Sequence, residues 1–171
     1  VLKEMLEVIK YRGPDDFGVW INGEDIGIGH RRLAILDIRD GHQPMATVDE
    51  ALVIVFNGEI YNHKELREEL ELLGHVFRSN HSDTEVLLHG YRQWGTAITN
   101  RLNGMWALAI YDREKNLMWL SRDRFGKKPL YYIVKGDNFA FSSELLSLCR
   151  HPITRPRKIS EQSLVKYFAY G

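Results

Sequence analysis

Three short stretches of this chain carry side chains able to act together on a small charged molecule. Arg31 and Arg32 open one strand-like run, Asn57-Gly58-Glu59 close another, and Asp83 falls in the first turn of a helical pattern. A free amino acid is a zwitterion. It needs a cation for its carboxylate, one or two carboxylates for its ammonium, and neutral donors wherever its side chain reacts. The sequence supplies each type at the edge of an element, where a rigid scaffold can make such groups converge. Glycine at 58 leaves its backbone N–H accessible and the Asn57 amide can donate beside it, and two adjacent neutral donors meet the requirement of an oxyanion hole. Each residue also has a plainer reading. Asp83 complements a helix dipole, worth about 0.3–1 kcal/mol. Arg31 and Arg32 sit on opposite sides of a strand, so only one of them faces any pocket.

An Asn-Gly pair after an apolar run ordinarily marks a hairpin. Here VIVFNGEIYN is followed by HKELREELELLG, which has helical spacing and offers no returning strand. The helix start is marked by Asn62 with Glu65, and a second one by Ser82 with Glu85, each with the spacing of a capping box. Leu66, Leu70 and Leu73 line one face of the first helix, which ends at Gly74; Leu87, Leu88, Tyr91 and Trp94 mark the second, which ends at Gly95. Upstream, Leu2, Met5, Leu6 and Ile9 predict a short helix closed by Gly13-Pro14, and FGVWI, EDIGIGH and RRLAILDI predict a meander. ALVIVF predicts a strand buried on both faces. Downstream, MWALAIYD, LMWLSRD, LYYIV and FAFSS predict a four-stranded antiparallel meander, then a brief helix SELLSLCR, an extended connector HPITRPRK, and a helix capped by Ser160. Helices between runs of strands favour two sheets packed face to face with helices outside, an α+β sandwich of four layers.

Composition limits the partners. The chain is 44% apolar and 11% aromatic, and its 23 basic residues balance 23 acidic ones, so no net field draws it to nucleic acid or to an anionic membrane. No apolar run approaches the roughly 18 residues of a membrane span, and no signal-peptide pattern opens the chain. A single cysteine, Cys149, excludes an internal disulfide and suits a reducing cytoplasm. The seven histidines show no metal-binding spacing and read as structural; no metal is expected.

The ordered set RGPDD at 12–16, GHRRL at 29–33, GHQPM at 41–45, FNGEIYN at 56–62, SDTEV at 82–86, RLNGMWALAIYD at 101–112, SRDRFGKKPLYY at 121–132 and FSSEL at 141–145 resembles the class II glutamine amidotransferase domain of asparagine synthetase-type enzymes. The resemblance covers nearly the whole chain. It implies the αββα fold of N-terminal-nucleophile hydrolases, with two mostly antiparallel sheets. It also implies roles: Arg32 for the glutamine α-carboxylate, Glu59 and Asp83 for its α-ammonium, and Asn57 with the Gly58 N–H for the tetrahedral oxyanion. Arg31 stays structural, and RDRFGKKPLYY shapes the fold or faces a second domain. On this reading residues 1–150 are the glutaminase domain, and 151–171 are a linker and the start of a C-terminal synthetase domain. That absent domain would use ATP and magnesium, the glutaminase domain would need no cofactor, and the parent could form a homodimer. Tyr11, His81 and Lys127 depart from the family pattern without removing a role.

In that family the mature chain begins with a cysteine whose thiolate attacks the glutamine amide, its own α-amine serving as base. The sequence from Val1 has no such cysteine, and Cys149, in an apolar helical stretch and without a free amine, cannot replace it. The opening helix lacks a capping residue, so the N-terminus is expected upstream, and the polypeptide as written is expected not to hydrolyse glutamine. A module that has lost its nucleophile, structural or binding in role, is the alternative. The intact Arg32, Asn57, Gly58, Glu59 and Asp83 set favours a working parent enzyme.

Overall fold

The structure is a computed structural model that describes residues 1–33, 41–156 and 160–170. In chain order the elements are α1 (Leu2–Val8), β1 (Asp16–Asn22), β2 (Ile26–Arg32), β3 (Met45–Ala46), β4 (Leu52–Ile60), α2 (His63–Leu72), α3 (Asp83–Trp94), β5 (Gly104–Asp112), β6 (Leu117–Arg122), β7 (Tyr131–Lys135), β8 (Asn138–Ser142), α4 (Leu145–Leu148) and α5 (Glu161–Tyr170). A central antiparallel sheet has the order β3-β4-β5-β6, and two antiparallel hairpins, β1-β2 and β7-β8, lie apart from it.

Side-chain alternation explains the layers. From β4, Leu52, Ile54, Phe56 and Ile60 pack with Leu66 and Leu70 of α2 and Val86, Leu87 and Tyr91 of α3. The opposite face of the sheet, with Val53, Val55, Ala109 and Tyr111, packs against Ile28 of β2, Trp20 of β1 and Phe141 of β8. Outside the hairpins, Met5 of α1, Ala140 of β8, Leu148 of α4 and Ile153 form a third cluster. Helix, hairpins, sheet and helices thus stack as the expected αββα sandwich. The motifs at the two ends of the chain meet in the outer layer: Arg12 of RGPDD pairs with Glu144 of FSSEL at 2.6 Å. A Cβ on Gly13 would overlap the Arg31–Arg32 backbone, so only glycine lets this turn lie on β2.

Several local expectations change. EDIGIGH and the start of RRLAILDI form one strand, β2; residues 34–40 lie outside the described residues. The four-stranded meander is two hairpins in different sheets, because the loop after β6 carries the chain across to the hairpin layer. Asp123 holds that loop, its carboxylate accepting the N–H groups of Trp106, Phe125, Lys127 and Lys128. Arg122 closes it on the Gly126 and Lys128 carbonyls. RDRFGKKP therefore does shape the fold. The connector begins later than expected, since Pro152–Thr154 form a 3-10 turn that buries Ile153. Asn62 does not cap α2 with its side chain; it donates to the Arg101 carbonyl and accepts from the Asn103 N–H, each at 2.9 Å, tying the helix start to the loop before β5. Ser82 does cap α3, but Glu85 turns aside to bind the Arg78 and Ser79 N–H groups. Ser160 caps α5 as expected. No helix among the described residues is long and apolar enough to cross a membrane.

Candidate active site

The Asn-Gly signal for a turn is overridden by pairing. Asn57 through Ile60 remain in β4, opposite Ala107 to Gly104 of β5. Residues 51, 53, 55, 57 and 59 direct their backbone groups toward β5, and the even-numbered residues direct theirs to the outer edge. Along that outer edge Leu52 bonds to Thr47, Ile54 pairs with Met45 of β3, Phe56 donates to Gln43 Oε1, and Ile60 donates to Asp83 Oδ2 at 3.1 Å. His63 Nδ1 contacts the Ile60 carbonyl at 2.8 Å. Gly58 lies between Phe56 and Ile60, and among the described residues it is the outward N–H on this edge without an acceptor. It must be glycine: a Cβ there would overlap the Met105 carbonyl and the Phe56 ring.

Arg32, Asn57, Gly58 and Asp83 border one cavity of about 1350 Å3. Arg32 shares the inward face of β2 with Ile28 and His30. Gly41 lies against its guanidinium, so any side chain at 41 would displace that head group. Arg31 points the other way, to Glu7 at 2.8 Å, the Leu6 carbonyl at 3.1 Å and the Phe17 ring. As strand alternation requires, the two arginines lie on opposite faces of β2. Burial pushes the Asp83 carboxyl above its usual range, a rise only partly offset by the Ile60 N–H and the nearby His63. A half-buried carboxylate of this kind gains from a cationic partner. Glu59 is exposed and does not border the cavity, although it shares with Asn57 the same face of β4. The half-buried Cys149 is likewise not among the bordering residues.

Away from these groups the cavity becomes a slot. All of Ile26–Arg32 of β2 and all of Asn138–Ser142 of β8 border it. A strand that borders a space with consecutive residues presents its backbone edge, because side chains alternate. Among the described residues neither edge has a strand partner. Val55, Ala107, Ala109 and Tyr111 form the floor, and Leu2, Met5 and Leu6 of α1 lie above.

Sequence reasoning missed His30 and Gln43, which also border this space. Both lie in quoted motifs, GHRRL and GHQPM, yet nothing in their spacing tells that they converge on Phe56. Burial, assisted by the charge of Arg32, lowers the His30 pKa to about 4 despite its bond to the Phe56 backbone, while its Nδ1 has no partner among the described residues. The unfolded chain, with an ordinary value near 6.5, therefore takes up this proton first. Stability is fully present above about pH 6.5 and falls as pH drops toward 4, by roughly 3 kcal/mol in total. Urea unfolding across this window should show His30→Gln with a flatter pH dependence than the parent; equal slopes would contradict the buried neutral imidazole.

The four-layer sandwich of antiparallel sheets and outer helices is the fold of the N-terminal-nucleophile amidotransferases. In keeping with this, glutamine phosphoribosylpyrophosphate (PRPP) amidotransferase from B. subtilis, solved with ADP and GMP, superposes with a TM-score of 0.69 at 25% identity, over 85% of this chain and 39% of that one. The glutamine amidotransferase domain family matches residues 1–171, and the chain belongs to it. It is 41% identical over 173 residues to "Asparagine synthetase [glutamine-hydrolyzing] 3" of Bacillus subtilis (strain 168), covering 99% of this chain and 28% of the relative. It is 42% identical over 189 residues to "Putative asparagine synthetase [glutamine-hydrolyzing] 2" of Methanocaldococcus jannaschii, covering 99% and 36%. The chain thus spans about a third of the length of these relatives or less.

Proposed function

We propose that the chain is the glutamine-hydrolysing part of a longer, cytoplasmic, asparagine synthetase-like enzyme. The observation that carries this reading is the meeting of Arg32, Asn57, the Gly58 N–H and Asp83 on one cavity that continues into a strand-shaped slot. The Gly58 and Ile60 N–H groups are two strand residues apart, about 7 Å. Asp83, bound to the second, therefore stands from the oxyanion donor at a distance comparable to the reach from the α-nitrogen of an extended glutamine to its side-chain carbonyl. Arg32 takes the α-carboxylate, Asp83 the α-ammonium with Glu59 reaching in from the rim, and Asn57 with Gly58 the side-chain oxygen.

The reacting group comes from a segment preceding Val1, laid as an extended strand between β2 and β8. A cysteine at its head attacks the amide carbon, and its proton passes through its own α-amine to the leaving nitrogen. The carbon–nitrogen bond breaks to give ammonia and a γ-glutamyl thioester, and water then cleaves the thioester to glutamate and the free thiol. Negative charge on the carbonyl oxygen develops only in the tetrahedral stage, so the paired donors stabilise that stage more than bound glutamine. None of this requires a metal or cofactor. Ammonia passes through the protein interior to a C-terminal synthetase domain, which uses ATP and magnesium to activate the acceptor carboxylate, aspartate by default.

The test is the full-length protein. Its sequence upstream of Val1 should open Met-Cys-Gly, and it should release glutamate from glutamine. Replacing that cysteine with alanine should abolish glutaminase activity while ammonia-dependent synthesis survives. Loss of both activities would refute the division of labour, and an upstream sequence without the cysteine would refute the hydrolase.

A further inference from the structure

The outer edge of β4 raises a problem that the active-site roles leave open. β3 is only two residues long and pairs with Val53 and Ile54. The next outward residue, Phe56, is 5% exposed, and a buried backbone pair without partners is strongly disfavoured. Two side chains take over where the strand neighbour stops. Gln43 Oε1 accepts the Phe56 N–H at 2.6 Å, and the buried His30 ring, whose Nδ1 has no partner among the described residues, interacts with the Phe56 backbone. Gln43 is itself 8% exposed and lies beneath Gly18, where any side chain would overlap the Gln43 carbonyl.

The residues that follow make this clamp matter. Asn57 is fixed to β5 by its backbone, Ile60 is fixed by Asp83 and His63, and Gly58 stands between them. Glycine has the widest backbone freedom of any residue, so its N–H direction depends on neighbours held at both sides. On the Ile60 side Asp83 and His63 do this, and on the Phe56 side, among the described residues, Gln43 and His30 do.

We propose that Gln43 and His30 are positioning residues that hold Phe56 in place of a β-strand neighbour and thereby keep the Gly58 N–H and the Asn57 amide aimed into the cavity. Although both border the cavity, in this role they act through Phe56 rather than on the substrate. The inference rests on the oxyanion role proposed for Asn57 and Gly58, and it assigns the GHQPM and GHRRL motifs a common purpose.

In the full-length protein, Gln43→Met removes the acceptor at nearly constant volume, and Gln43→Glu restores one. The first should lower kcat for glutamine hydrolysis about 10- to 100-fold with KM within about threefold, because Arg32 and Asp83 are untouched, and the second should recover most of the loss. Amide hydrogen exchange in the Phe56–Ile60 segment should accelerate in Gln43→Met and return in Gln43→Glu. An unchanged kcat, a KM rising in proportion, or a Glu variant no better than Met would overturn the proposal. If Gln43→Met does not fold, His30→Gln must show the same fall in kcat at constant KM. Should the unsubstituted protein hydrolyse no glutamine, the functional reading fails by itself. Exchange then decides the clamp: acceleration confined to Phe56–Ile60 supports it, and none refutes it.

Discussion

Replacing Asn57 with alanine in the full-length protein should reduce kcat for glutamine hydrolysis by about 100- to 1,000-fold, the effect of removing one oxyanion donor. The substitution is clean because the Asn57 backbone is paired with Ala107 of β5, so the strand keeps its register without the amide. The change in KM should be small, since charge on the substrate oxygen is still absent when glutamine binds. Ammonia-dependent synthesis should be untouched. A rise in KM with constant kcat would make Asn57 a ground-state binding residue and remove it from the oxyanion hole.

Arg32→Ala should behave in the opposite way. A buried, charge-assisted pair with a substrate carboxylate contributes about 2–4 kcal/mol, so KM for glutamine should rise roughly 30- to 1,000-fold with kcat at saturation close to that of the parent. Its neighbour supplies the control. Arg31→Ala breaks contacts to Glu7 and to the Leu6 carbonyl on the α1 side, so it should lower stability and leave KM within about twofold. Equal effects of the two substitutions on KM would show that alternation along β2 does not separate a binding arginine from a structural one.

What could be read from the sequence divides along physical lines. Strand and helix runs of period two and period 3.6 were legible, as were the four layers, because burial imposes those periods locally. The fate of Asn57-Gly58 was half legible: the helix after it argued against a hairpin, but its place inside a strand depends on β5, which lies more than forty residues later. The separation of β6 from β7 into different sheets was hidden, because the Asp123 loop that carries the chain across resembles any polar turn. Asn62 had the chemistry of a cap and was drawn instead to Arg101 and Asn103, a long-range competition that no local pattern encodes. His30 and Gln43 were invisible for the same reason. Their partner is one backbone residue, and only the folded arrangement shows that it would otherwise be unpaired.

On the function proposed above, the slot between β2 and β8 makes completion of this sandwich a matter of tethering. Two edges without a strand partner among the described residues can accept any extended peptide, including the edge of a second copy of the chain. A segment joined covalently nearby would reach them at an effective concentration near the millimolar range, far above that of most strangers. On the chemistry proposed above, the strand that closes the sheet also delivers the reacting thiol. A chain whose segment has not docked is then both unfinished as a fold and silent as a catalyst, so quality control and activation become one event.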